Sequence, residues 1–290
     1  MNKPLCLISG PVFNRSGYGD WATSVAKSII RYDKFDVKIA PTRWGNCHTK
    51  RFLDDLTDPE DKILASKFLQ GNLNKQPDVF VQLTIPEEFQ AVGKYNIGMT
   101  AGIETTIPPG SWIEGVNKMD LTIGLSNHVK KTFSEIKMAK QLENGQQVPV
   151  QVEKPIEVCF WGADTNIFKK TDEKIESVEL SLSQIKESSA FLFIGQWTHG
   201  GVYNDRKDIG NLIKTFCTAF KNNNSNDRPC LIVKTSGASY STVDRFEILS
   251  KIKKVRDEIG ENAPNVYLLH GELSEPEMNA LLNHEKIISH

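Results

Sequence analysis

The sequence predicts an α/β protein of two units, each a parallel sheet covered by helices on both faces. Three observations predict it. Short apolar runs rich in β-branched residues recur along the chain, helical stripes fall between many of them, and one polar stretch parts the series in two. Fully apolar strands belong to sheets buried on both sides, whereas a sheet wetted on one side alternates. The length agrees: 290 residues at about 150 per domain gives two.

The runs read as strands are Leu5–Ser9, Asp36–Ala40, Val79–Ile85, Leu121–Ser126, Ile156–Trp161, Ala190–Gly195, Cys230–Thr235, Val266–His270 and Ile287–Ser289. Behind the first strand, Trp21, Ala22, Val25, Ala26, Ile29 and Ile30 form one helical stripe. Ile209, Leu212, Ile213, Phe216 and Phe220 form a second, and Ile248, Ile252, Val255 and Ile259 a third. Ser274 with Glu277 is a capping box with Pro276 in the first turn, opening a short helix through Met278, Leu281 and Leu282. The polar stretch from Lys169 to Ser189 carries few apolar residues and reads as a linker with its flanking helix. The expected domains are therefore 1–169 and 190–290, with 170–189 between them.

Composition narrows the function classes. With 35 basic and 36 acidic residues the net charge is −1, so nucleic-acid binding lacks its usual electrostatic support. Charged residues at 24% and hydrophobic ones at 39% are ordinary for a globular chain and argue against disorder or a fibre. The five cysteines are odd in number and form no C-x-x-C pair, which points to a reduced, cytoplasmic setting. No apolar run approaches the roughly 18 residues that span a bilayer. The six histidines are dispersed, none at i, i+4 with another, which weighs against a metal site; no metal is expected, and no cofactor on the leading reading.

Two stretches carry candidate chemistry. After the first strand comes Gly10-Pro11-Val12-Phe13-Asn14-Arg15-Ser16-Gly17-Tyr18-Gly19, then a helix. Free N–H groups and the positive end of a helix dipole favour an anionic or polar ligand there; the alternative is a wide connecting loop. Gly17-x-Gly19-x-x-Ala22 fits the dinucleotide fingerprint formally, and Arg43 after the second strand suits a 2′-phosphate, so an NADP-dependent oxidoreductase is a competing reading. Tyr203-x-x-x-Lys207 mimics a reductase pair. The second stretch ends a strand at Gly195-Gln196-Trp197 and sets Arg206 and Lys207 at a helix start. A diphosphate could be held there by the Arg206 fork, the Lys207 point charge and backbone amides, or both cations are solvated surface charges. His199 with Gly200 and Gly201 reads either as a loop over those phosphates or as ordinary surface.

The order of these segments resembles the GT-B-fold glycosyltransferases of the group-1 (family 4) type, which transfer sugars from nucleotide donors. The resemblance rests on the Ser16–Gly19 loop, on Glu104 with Trp112 followed by the run Asp120–Ser126, and on Ile156–Phe168 with its Gly162-x-Asp164. It continues in the Gly195-Gln196-Trp197 stretch with Arg206-Lys207, and in His270–Ser274 leading to Leu282. It implies two Rossmann-like domains, acceptor side first, and a glycine loop of Ser16, Gly17, Tyr18 and Gly19. Ser126, Gly162 and Asp164 would line an interdomain cleft, and Gly195, Arg206, Lys207 and Lys234 would bind the donor phosphates. The partners implied are a nucleotide-diphosphate sugar and a carbohydrate or lipid-linked acceptor, with retention at the anomeric carbon.

This chain departs from the family twice. Gln196 stands where relatives carry an arginine, so one phosphate contact is either missing or supplied by Lys234. Glu104 is the nearest candidate for a missing histidine, either acting on the sugar or acceptor hydroxyl or serving as an N-terminal helix carboxylate. No D-x-D is present, the pair that metal-dependent transferases of the other major fold use, which fits fixed cations in the metal's place. From Ala190 onward four strands are legible where a doubly wound half has about six, and the acidic segment that follows in relatives is absent. A truncated donor domain is therefore expected, with weak donor binding and poor turnover, or a non-catalytic nucleotide- or sugar-binding protein on the same scaffold.

Overall fold

The structure is a computed structural model and describes residues 3–45, 47, 58–141, 143–197, 200–223, 228–237 and 239–289. It divides into two compact units, residues 1–162 and 163–290. The division lies a few residues before the expected end of the first domain.

Unit 1 opens with β1 (Leu5–Gly10), α1 (Gly17–Tyr32), β2 (Asp36–Pro41), α2 (Pro59–Ser66) and β3 (Val79–Leu83). There follow β4 (Tyr95–Thr100), α3 (Gly110–Asn117), β5 (Leu121–Gly124), α4 (Asn127–Glu135), the pair β6 (Met138–Gln141) and β7 (Gln147–Val150), and β8 (Ile156–Val158). The main sheet runs β2-β1-β3-β4-β5-β8, every pairing parallel, while β6 and β7 form a separate antiparallel hairpin. Strand order therefore reverses between β1 and β3, the point where open α/β sheets part to admit ligands. The predicted stripe of α1 is buried through Trp21, Ala22 and Ala26, packing with Ile8, Val37, Ile39 and Leu83. On the other side Ile113, Val116, Val129, Phe133 and Ile156 form a second cluster.

β4 was not expected. It sits in the sheet centre, yet reads Tyr95-Asn96-Ile97-Gly98-Met99-Thr100. Asn96 is buried because it is fully engaged: its Oδ1 accepts from Val92 and Gly93 N–H at 2.9 and 2.8 Å, and its Nδ2 donates to Gly93 O and Asp120 Oδ2. The expected strand Ile156–Trp161 stops at Val158, leaving Phe160 and Trp161 exposed.

Asp78 ties the starts of β1 and β3 together. Its carboxylate accepts from Leu5 N–H at 2.9 Å and from Lys94 Nζ at 2.7 Å. The Lys94 hydrogen bond first, and the Leu5 N–H second, pull the group from 3.8 down to about 2. A carboxyl whose pKa falls on folding stabilises the fold above its unfolded value and loses that contribution as pH drops through the folded one. Asp78→Asn should therefore flatten the acid limb between pH 3.8 and about 2, read by circular dichroism along an acid titration. Identical limbs for parent and variant would refute the assignment.

Unit 2 contains α5 (Glu176–Ser183), β9 (Ala190–Ile194), α6 (Ile209–Phe220), β10 (Cys230–Lys234), α7 (Thr242–Ile259), β11 (Val266–Leu269), α8 (Glu275–Asn283) and β12 (Ile287–Ser289). Its parallel sheet runs β11-β10-β9-β12, reversing between β9 and β12. Both faces are buried, as the apolar strands require: Leu231 and Val233 meet Ile209, Ile213, Ile248 and Ile252 on one side, while Ala190, Leu192, Cys230 and Ile232 meet Val178, Leu182, Ala280 and Leu281 on the other. The stretch read as a linker thus supplies core. Ile175, Val178, Leu182 and Ile185 fall on one helical face of α5 and its flanks, a stripe that the surrounding charges mask in the sequence. The capping box at α8 is present, Glu277 N–H donating to Ser274 Oγ and Ser274 N–H to Glu277 Oε2 at 2.7 Å.

Candidate active site

In unit 1 the glycine loop sits over the reversal point between β1 and β3. Ser16 is the N-cap of α1, its Oγ accepting from Gly19 N–H at 3.1 Å. Tyr18 reaches across to the end of β4: its hydroxyl accepts from Ala101 N–H at 2.8 Å and lies 3.1 Å from Thr100 Oγ1. Its ring stacks on Trp44, centroids 4.1 Å apart. Burial, then the charges of Glu104 and Glu88, raise the Tyr18 pKa, so this phenol stays protonated and acts as a hydrogen-bonding group, not as a base. Glu104 is exposed in the segment after β4 and lies six residues ahead of α3, so it is no helix N-terminal carboxylate. Its charge contributes to raising the Tyr18 pKa.

The remaining unit 1 candidates are less concentrated. Ser126 is the N-cap of α4, accepting from Val129 N–H at 3.2 Å. Gly162 is exposed at the end of the unit, and Asp164, the second residue of unit 2, makes a turn in which its Oδ1 accepts from Asn166 N–H at 2.9 Å.

In unit 2 the candidates gather at the carboxyl ends of β9, β10 and β11. Gly195 N–H donates to Lys234 O at 3.1 Å and Trp197 N–H to Ser236 O at 2.9 Å, so the two strand ends continue in register. Lys234, Thr235 and Ser236 are all buried. The Lys234 ammonium donates to Gly271 O at 2.6 Å and lies 5.3 Å from the Tyr240 ring centroid. Arg206 and Lys207 are exposed on the loop entering α6. Between them and the helix stands a carboxylate: Asp205, buried, accepts from Lys207 N–H at 3.0 Å and Ile209 N–H at 3.2 Å. Asp205 thus supplies negative charge at that helix start and offsets the positive dipole end that opposes two cations there.

The structure brings together one pair that the sequence reading treated as unrelated. His270 Nε2 lies 2.9 Å from Asp244 Oδ2, and the same carboxylate accepts from Gly237 N–H at 3.0 and 3.2 Å. Ser241 caps α7 by accepting from Asp244 N–H at 3.1 Å, an S-x-x-D signature that was available in the sequence. Tyr203 is no reductase tyrosine: its hydroxyl donates to Glu258, and burial first and then that carboxylate push it up to about 12. His199 lies outside the described residues. Trp197, beside these strand ends, is core, 1% exposed.

These features define an α/β protein of two doubly wound units with polar groups at the carboxyl ends of both sheets. Among solved structures the chain is similar to one described as trehalose-6-phosphate from E. coli bound with UDP-2-fluoro glucose, at 11% identity, TM-score 0.53, over 96% of this chain and 75% of that one. It is equally similar to a UDP-forming α,α-trehalose-phosphate synthase from Burkholderia xenovorans, at 10% identity, TM-score 0.54, over 96% and 75%. A complex of that synthase with glucose-6-phosphate matches at 10% identity, TM-score 0.52, over 96% and 76%. The fold is that of the GT-B glycosyltransferases.

No family model matches the sequence. A curated relative, the small ribosomal subunit protein uS2 of Rickettsia typhi, is 30% identical over 93 residues, 31% of either chain. The chain thus spans about a third of that relative, and the match defines no family. No helix among the described residues is long and apolar enough to cross a membrane.

Proposed function

We propose that the chain is a glycosyltransferase that takes a sugar from a nucleotide-diphosphate donor, with retention at the anomeric carbon and without a metal, in the cytoplasm. The observation that carries this reading is the GT-B fold along nearly the whole chain, with a buried lysine at the carboxyl end of β10 beside the glycine that follows β9. Strand ends next to a reversal of order are where such sheets bind ligands.

In the reaction the bond from the anomeric carbon to the β-phosphate oxygen breaks, a bond to the acceptor oxygen forms, and the acceptor hydroxyl passes its proton to the departing diphosphate. Charge develops on the departing diphosphate, and fixed cations stabilise it most where water is excluded. Lys234 is such a cation, and Arg206 with Lys207 adds two more from the α6 loop. Glu104, in the segment after β4, is the group assigned to the sugar or to the acceptor hydroxyl. The E. coli and Burkholderia structures, holding UDP-2-fluoro glucose and glucose-6-phosphate, make UDP the first nucleotide and a hexose phosphate the first carbohydrate acceptor to try.

Calorimetric titration with UDP and GDP tests the reading. The parent is expected to bind one of them, and Arg206→Ala with Lys207→Ala to weaken it by about tenfold to a hundredfold, the loss of one or two charge-assisted hydrogen bonds. No binding by the parent, or undiminished binding by the double variant, would sink the nucleotide site.

A further inference from the structure

We propose that the buried Asp244–His270 pair is a positioning device: it fixes the Gly271 carbonyl and the Tyr240 ring, and through them aims the Lys234 ammonium at the nucleotide diphosphate. The inference rests on the nucleotide-binding reading above.

The geometry makes one carboxylate the anchor of three segments. Asp244 lies in the first turn of α7, Gly237 in the turn leaving β10, and His270 in the turn leaving β11; the two side chains are 9% and 5% exposed. An ionised carboxylate only accepts, so the Nε2–H of His270 is the donor across the 2.9 Å contact. Holding a turn in place does not require charge. Apolar side chains of similar volume do so without the desolvation cost of burying polar ones, so a buried pair here points to a need for direction as well as cohesion.

What it directs is Lys234. A buried ammonium requires partners, and two of those described lean on His270. Gly271, whose carbonyl accepts from Lys234 Nζ at 2.6 Å, is the next residue in the chain. Tyr240, whose ring faces the ammonium at 5.3 Å, packs edge-on against the imidazole at 5.5 Å between centroids. Release of His270 frees both groups together, and the ammonium loses its aim while the strand that carries it stays in place. Neither Asp244 nor His270 need touch the nucleotide.

A double-mutant cycle on UDP affinity tests this with the full chain. His270→Phe keeps an aromatic ring against Tyr240 and removes the donor; Lys234→Met removes the ammonium at similar volume. His270→Phe is expected to weaken UDP about tenfold, the size of one hydrogen bond to a charged group. Lys234→Met should weaken it at least as much, and the double variant no further than Lys234→Met alone, because the pair acts through the lysine. His270→Gln, which restores an N–H donor, should recover affinity relative to His270→Phe.

Thermal melts accompany each titration. If His270→Phe does not fold, Asp244→Asn takes its place in the same cycle. A His270→Phe chain that binds UDP like the parent, or a double variant in which the two losses multiply, overturns the inference and leaves the nucleotide site standing. A parent that binds neither UDP nor GDP overturns both.

Discussion

Gly19→Ala is expected to destabilise unit 1 at the upper end of the about 1–3 kcal/mol that overpacking costs, while Gly17→Ala, two residues earlier, leaves it unchanged or raises it by up to about 1 kcal/mol. The opposite signs follow from what a methyl group would meet. At Gly19 it would lie 1.9 Å from the Asn14 carbonyl oxygen and 2.6 Å from its carbon, and both are backbone. The Asn14 loop has little room to yield. Asn14 is buried, its N–H donates to Pro11 O, its O accepts from Ser16 N–H, and its Nδ2 donates to Cys47 O at 3.0 Å. Phe13 before it already holds a left-handed φ of 63°, fixed by its buried ring and by Thr23 Oγ1 accepting from its N–H at 2.9 Å. At Gly17 nothing lies within 4 Å of the added carbon, so the substitution acts mainly by reducing the freedom of the unfolded chain. Amide hydrogen exchange of β1 and α1 separates the two cases, and equal protection in both variants would overturn the argument. A motif that reads as a glycine pair is then one required glycine and one replaceable residue.

The legible parts of the fold were those in which local pattern and tertiary burial agree. The stripe of α1, the capping box of α8 and the apolar β9 and β10 each state their neighbours in their own composition, because both faces of the sheet demand the same residue class. β4 was illegible because its central position is fitted to one partner. Gly98 stands where a side chain would lie 2.5 Å from the Phe89 ring, and Asn96 is buried on hydrogen bonds to residues near and far in sequence. No periodicity signals a glycine kept for a ring nine residues away. The Asp244–His270 contact joins a helix to the turn after a strand, so the sequence shows two isolated residues where the fold makes one site. Arg206 and Lys207 were legible as cations, but the role of the Asp205 carboxylate was not, although it offsets the positive end of the helix dipole next to them.

Trp197 gives the sharpest contrast between a binding role and a packing role. Read from the sequence it is an aromatic two residues after Gly195 that could stack on a sugar ring or pack in the core. In the fold it is 1% exposed and sits among Ile209, Ile213, Phe216 and Ile252, with Lys251 Nζ 5.2 Å from its ring centroid. Trp197→Ala should therefore cost unit 2 about 3–5 kcal/mol, the range for emptying a buried aromatic site. Trp197→Phe divides the energy differently. Its smaller ring gives up dispersion contacts and some apolar burial, but the indole Nε1 is buried with no hydrogen-bond partner among the described residues. Removing an unsatisfied buried donor returns about 1–3 kcal/mol. The two terms oppose each other, so Trp197→Phe is expected to cost much less than Trp197→Ala. Chemical denaturation followed in unit 2 measures both variants, with UDP titration of Trp197→Phe alongside. A phenylalanine variant that keeps its stability and loses affinity would return Trp197 to the binding site; one that loses stability as far as the alanine variant would show that the indole N–H is satisfied.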